Sequence, residues 1–153
     1  MLSIEVISLI FIIVTNLVVF WMIASQSWRV KVIRYFILAV MGVVLWAMGT
    51  LLLVAGTTQS LVDVGRSIFL IAPMYVILFL ALFAAVFPRT SGRTLTPINF
   101  VFLIITLVFS LVIAFEPTQL ITSVVLNPGY NDIVVDGFWY SMYILYFNLA
   151  FLV

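Results

Sequence analysis

Long apolar runs, each about 20 residues, alternate along the chain with short polar joints. They occupy about residues 4–26, 33–55, 65–87 and 97–115, and a fifth opens at Phe138 and is still apolar at Val153. A helix crosses the roughly 30 Å hydrocarbon core of a bilayer with about 20 apolar residues. The pattern therefore predicts an all-α fold: a polytopic transmembrane helix bundle of five helices, forming a single membrane domain over residues 1–153 with no soluble domain. The first run does not read as a signal peptide. It carries Glu5 where a basic segment belongs and exceeds the roughly 7–15 apolar residues of a signal core. The fifth run stops short of a full span, and a free carboxylate at that depth is costly to desolvate, so the chain reads as part of a longer one.

The joints set the orientation. Arg29, Lys31 and Arg34 lie between the first two runs, and Arg89 and Arg93 between the third and fourth; only Arg66 falls on the other side. Cations mark cytoplasmic loops, so these two joints are expected inside and the N-terminus outside. Asp63, Glu116, Asp132 and Asp136 then face out. The longest joint, Glu116 to Gly137, is not merely polar. Leu120–Val125 and Ile133–Val135 are rich in β-branched residues, and Asn127-Pro128-Gly129 between them signals a turn. A short extracellular β-hairpin or flap over the outer helix ends is expected there.

Composition agrees on the solvent and narrows the chemistry. Hydrophobic residues make up 67% of the 153, charged residues 7%, and the mean hydropathy is +1.42. A soluble domain carries roughly 25% charge, and one of this size has too little polar surface to cover such a chain. With no His and no Cys, thiol catalysis, a soft metal site and phosphorylation on histidine are excluded within this sequence. No phosphate-binding glycine loop occurs, and a net charge of +1 gives no footprint for nucleic acid. No catalytic residue, metal or cofactor is expected, and the first partner is the lipid bilayer.

Several residues stand out against plainer structural readings. Ala39, Gly42, Trp46, Gly49 and Leu53 fall along one helix face, the pattern of a packing seam between lipid-embedded helices. Trp46 doubles as a ligand-contact candidate. Pro73 removes a rung of the third helix, and a kink beside Tyr75 would shape an outward cavity. Asp63 and Arg66 have the spacing of a local ion pair at a helix entrance, with Arg66 positioned to attract an anionic ligand. Trp139 and Tyr143, next to Asp136 and the acidic joint, read as belt anchors or as an aromatic ligand wall. Asn16 and Asn148 both fall roughly 15–18 Å below the outer helix ends, so a shared polar network with Thr106 and Thr15 is one expectation and bonding within each helix the other.

The basic joint Arg29–Arg34, the segment Leu45-Trp46-Ala47-Met48-Gly49, Arg66, Pro73, the exit Phe87-Pro88 and the stretch Tyr140–Phe147 together resemble the N-terminal seven-transmembrane-helix region of bacterial and archaeal histidine kinases. The resemblance spans nearly the whole chain on hydropathy-weighted features and ends within helix five. It implies a sensory input module of a two-component system in the cell membrane. Such a module answers an extracellular or membrane ligand, drives a cytoplasmic output domain carried by a longer chain, and generally works as a homodimer. It supplies no catalytic residues. The competing readings are a transporter fragment and a passive membrane anchor or assembly subunit. Against transport, every charged residue is expected at a helix end or in a joint rather than at mid-depth.

Overall fold

The computed structural model describes residues 4–27, 30–87, 97–116, 121–127, 130–135 and 137–152. The elements are α1 (Ile4–Ser27), α2 (Lys31–Ala55), α3 (Gln59–Val86), α4 (Pro97–Phe115), β1 (Ile121–Asn127), β2 (Tyr130–Val135) and α5 (Phe138–Leu152). Among the described residues, α1, α2 and α3 are long and apolar enough to cross a bilayer. The architecture is that of a helical membrane bundle. Arg29, Arg89, Arg93 and Asp136 lie outside the described residues, as does the side chain of Trp139.

α1 shows which medium the bundle is built for. Among its described side chains only Val6 is buried, while Phe11 and Trp21 are 70% and 74% exposed. A helix this apolar with so little buried surface fits hydrocarbon and not water. α1 rests on α2, which forms the most extensive interface of the fold with α3.

That interface is made close by glycine. A Cβ on Gly49 would stand 2.6 Å from the backbone nitrogen of Phe69, and one on Gly42 would stand 2.6 Å from Cγ2 of Val76. Ala39, Gly42, Gly49 and Leu53 are all buried, so the small-residue face of α2 is the seam against α3. Lipid gives helices no hydrophobic reason to associate, and close backbone approach supplies the dispersion contacts instead.

α3 begins six residues before the expected start at residue 65. Thr58 caps it, its hydroxyl accepting from the Leu61 N–H at 3.4 Å, and Val62 and Gly65 pack on the end of α2. Gln59 and Asp63, bonded to each other at 3.1 Å, form the polar side of these first turns, which an apolar-run criterion skips. Asp63 and Arg66 thus sit inside the helix and not at its entrance.

β1 and β2 pair antiparallel, from Asn127 opposite Tyr130 to Ile121 opposite Val135, with a register irregularity between Ile121 and Ser123. β1 meets α3 and β2 meets α2. Ile121 is buried in the same cluster as Leu53, Val62, Leu70, Met74, Ile113, Tyr143 and Tyr146, so the strand pair is anchored in the helix core. Gly137, with φ of 107°, turns the chain into α5 through a conformation that side chains resist.

The seam predicts an order of damage. Gly49→Ala pushes on backbone and should lower stability in detergent by roughly 1–3 kcal/mol. Gly42→Ala, which meets a side-chain methyl of Val76 and not backbone, should cost less. Thermal unfolding of the two variants measures the order, and equal losses would show that the close approach at Gly49 is not limiting.

Candidate functional site

Pro73 sits within α3 and has no N–H to give to the Phe69 carbonyl one turn earlier. A bare carbonyl is expensive in lipid, and neighbouring helices commonly make good what proline removes. Here α5 reaches the neighbouring carbonyl of that turn, Leu70 O, and not Phe69 O itself. The Tyr143 hydroxyl donates to the Leu70 carbonyl at 2.9 Å, in the turn that the proline opens.

Three residues on, along the same face of α5, Tyr146 joins α5 to α4. Its hydroxyl lies 2.8 Å from Oγ1 of Thr106 and 3.4 Å from the Met74 carbonyl, while Thr106 donates to Phe102 O at 2.7 Å. Two hydroxyl hydrogens serve these three contacts. The short distances select one arrangement, in which Tyr146 donates to Thr106 and Thr106 donates to Phe102. The Met74 contact becomes a full bond only if Thr106 turns its hydrogen back to Tyr146. Tyr143 and Tyr146 together form a clamp on α5: Tyr143 ties it to α3 before Pro73, and Tyr146 ties it to α4 while lying 3.4 Å from the Met74 carbonyl just after the proline. Phe102 and Phe109 pack against the Tyr146 ring at 5.9 and 6.3 Å between centroids.

Beside this clamp lies a cavity of about 470 Å³ among α2, α3 and α5, within the range of roughly 300–1,000 Å³ typical of small-molecule sites. Its walls are almost wholly apolar and include Trp46 and Phe69 on one side and Tyr140, Tyr143 and Phe147 on the other, with Pro73 between. Leu80 and Ile144, both exposed, border it, so the cavity opens sideways on the outer face of the bundle.

Of the residues singled out from sequence, the structure brings Trp46 and Tyr143 together in this cavity. Tyr75 is elsewhere. It lines a separate apolar groove of about 370 Å³ with Gly42, Leu45 and Phe79, because a residue two positions from Pro73 faces another side of the helix. Arg66 is also apart. Its side chain is 4% exposed and bonded to Asp63 at 3.2 Å, with Nε buried and lacking a hydrogen-bond partner. It is a buried half of an ion pair and not an open attractant for anions.

The shared amide network is replaced by local bonds. Asn16 donates to Ile12 O and Asn148 to Ile144 O, each at 2.9 Å within its own helix, and Thr15 likewise bonds Phe11 O. A carbonyl one turn back is always in reach and costs no helix rearrangement. Thr106 is the one member of the proposed set that bonds across helices, and its partner is Tyr146. Tyr140, Tyr146 and Phe147 were not singled out as site residues. The signal available was the spacing of three between Tyr143 and Tyr146, which puts two hydroxyls on one helix face.

A double-mutant cycle with Tyr146→Phe and Thr106→Val should show a coupling of about 0.6 kcal/mol, the average for interhelical hydrogen bonds in membranes, rising to at most about 1.7. Asn16→Leu and Asn148→Leu should be additive within about 0.3–0.5 kcal/mol. Both are read from unfolding in detergent, and coupling between the two asparagines would reinstate the shared network.

Compared with known proteins, the chain matches no family model, no curated protein and no solved structure.

Proposed function

We propose that the chain is the membrane-embedded input module of a sensor of the histidine-kinase type, without catalytic function of its own. In this reading it crosses the cell membrane five times from an outside N-terminus. The β1–β2 pair lies on the outer side, and α5 leads to a cytoplasmic output domain in a longer chain, working as a homodimer. The observation that carries the reading is the tyrosine clamp beside the cavity. α5 is held to α3 beside Pro73 by the Tyr143 hydroxyl and to α4 by the Tyr146–Thr106 pair, and the cavity borders that joint. A ligand that prefers one placement of α5 shifts the population toward it by its differential affinity.

The charge pattern supports an input role over transport. The described charged residues are Glu5, Lys31, Arg34, Asp63, Arg66, Glu116 and, in β2, Asp132. Apart from Arg66, two turns into α3 and paired with Asp63, they stand at helix ends or in the strand pair, where the machinery of coupled transport would place ionisable groups at mid-depth.

Joining the chain after α5 to the dimerisation and catalytic part of a histidine kinase tests the reading. A bond contributing about 0.6 kcal/mol biases a two-state equilibrium about threefold, so Tyr143→Phe and Tyr146→Phe should each move basal autophosphorylation by about that factor. The lipid-facing Phe11→Leu should leave it unchanged. Output indifferent to both tyrosines contradicts the input role. Reporter fusions at Ser91 and Asn127 check orientation, with cytoplasmic signal expected at Ser91 alone.

A further inference from the structure

The cavity bordered by α2, α3 and α5 has a wall chemistry that says more than "apolar". Of the side chains around it, five are aromatic: Trp46 and Phe69 from α2 and α3, and Tyr140, Tyr143 and Phe147 from α5. The α5 rings form a continuous series, Tyr140 stacked with Tyr143 at 6.3 Å and 23°, then Tyr143 against Phe147 at 4.8 Å and 56°. Across Pro73, Trp46 and Phe69 lie 6.5 Å apart at 32°. Trp46 is 41% exposed, so one of its faces is uncovered by protein. Of the polar groups these rings carry, the Tyr143 hydroxyl is committed to the Leu70 carbonyl.

Hydrocarbon surroundings change what such a cavity selects. In water any apolar molecule would gain by entering. From a bilayer, a flexible acyl chain gains almost nothing, because the lipid tails around it are as apolar as the walls. It also gives up rotameric freedom on becoming confined. A rigid ring system has no such freedom to lose, and its faces and edges make the offset and edge-on contacts that aromatic walls favour.

We propose that this cavity is a binding site for a flat, ring-fused hydrophobic molecule that enters laterally from the bilayer between Leu80 and Ile144. The molecule lies against the α5 ring series, with Trp46 closing over it. The inference rests on the input-module reading only for its consequence, since binding itself needs no output domain. Occupancy pushes on Tyr143 and Phe147 and so acts directly on the α3–α5 joint.

The test uses the full chain in vesicles of dioleoylphosphatidylcholine and pyrene as the probe, followed by energy transfer from tryptophan. Transfer should contain a saturable part, one pyrene per chain, above the linear background of partitioning into lipid. Val43→Phe and Ile77→Phe, which fill the cavity from two different helices, should each weaken the saturable part at least tenfold. The equally bulky Val18→Phe on exposed α1 should leave it intact. Phenanthrene in excess should displace the probe, and palmitate should not.

Equal displacement by palmitate would overturn the proposal in favour of an acyl-chain groove, and linear partitioning alone would overturn it outright. Unfolding temperatures of the two filled variants, measured in the same vesicles, separate lost binding from lost fold. The two readings fail separately. Saturable binding with no change in the fused kinase leaves the site and removes the input role. Output that responds to Tyr143→Phe without saturable pyrene binding does the reverse.

Discussion

A polar group buried among hydrocarbon must find its partner within the protein, and this requirement organises the bundle around α3. Proline at position 73 leaves the Phe69 carbonyl without its helix donor, and the Tyr143 hydroxyl of α5 bonds the next carbonyl of the same turn, that of Leu70. Tyr146 extends the attachment to Thr106 on α4. Without these bonds α5 would rest on α3 through dispersion alone, in a medium that gives packing little advantage over lipid. The contrast with the α2–α3 seam is instructive. There glycine lets backbones touch over several turns; here a few hydroxyls set the position.

The two kinds of attachment divide the molecule. α2 and α3 interlock through Gly42, Gly49 and Gly65, and the strand pair is pinned to them by Ile121. α5 is attached at the aromatic wall of the cavity, next to the hydrogens that Tyr146 and Thr106 share among three acceptors. Redirecting the Thr106 hydrogen to Tyr146 would free the Tyr146 hydrogen for Met74 without breaking either helix.

Much of the fold was legible from where the apolar runs begin and end, because the length of a span is dictated by lipid and not by tertiary detail. α1 and α4 have the expected limits to within a residue. α3 starts early because Gln59, Ser60 and Asp63 belong to a helix end, capped by Thr58, whose polar side hides from an apolar-run reading. The strands were marked by β-branched stretches, while their register was not. In the site, Trp46 and Tyr143 stood out for their chemistry, and the structure places both on one cavity. Tyr75 and Arg66 did not join them, since which side of α3 faces α5 depends on packing that spacing alone does not specify. The two asparagines illustrate the same limit: a mid-span amide announces a need for a partner but not that its own helix supplies one.

Everything in this account assumes that the exposed faces of α1, α4 and α5 lie in hydrocarbon. The chain has no cysteine, so a single one can be introduced at Val14, Val108 or Ile144, each exposed and near the middle of its helix, and labelled with a nitroxide. Collision rates with oxygen, which concentrates in the bilayer centre, are then compared with those of a water-soluble nickel chelate in reconstituted vesicles. The account predicts oxygen-dominated relaxation at all three positions, including the shorter α4 and α5. Nickel-dominated relaxation at Val108 or Ile144 would place that helix in water and contradict the bundle on which the clamp and the cavity depend.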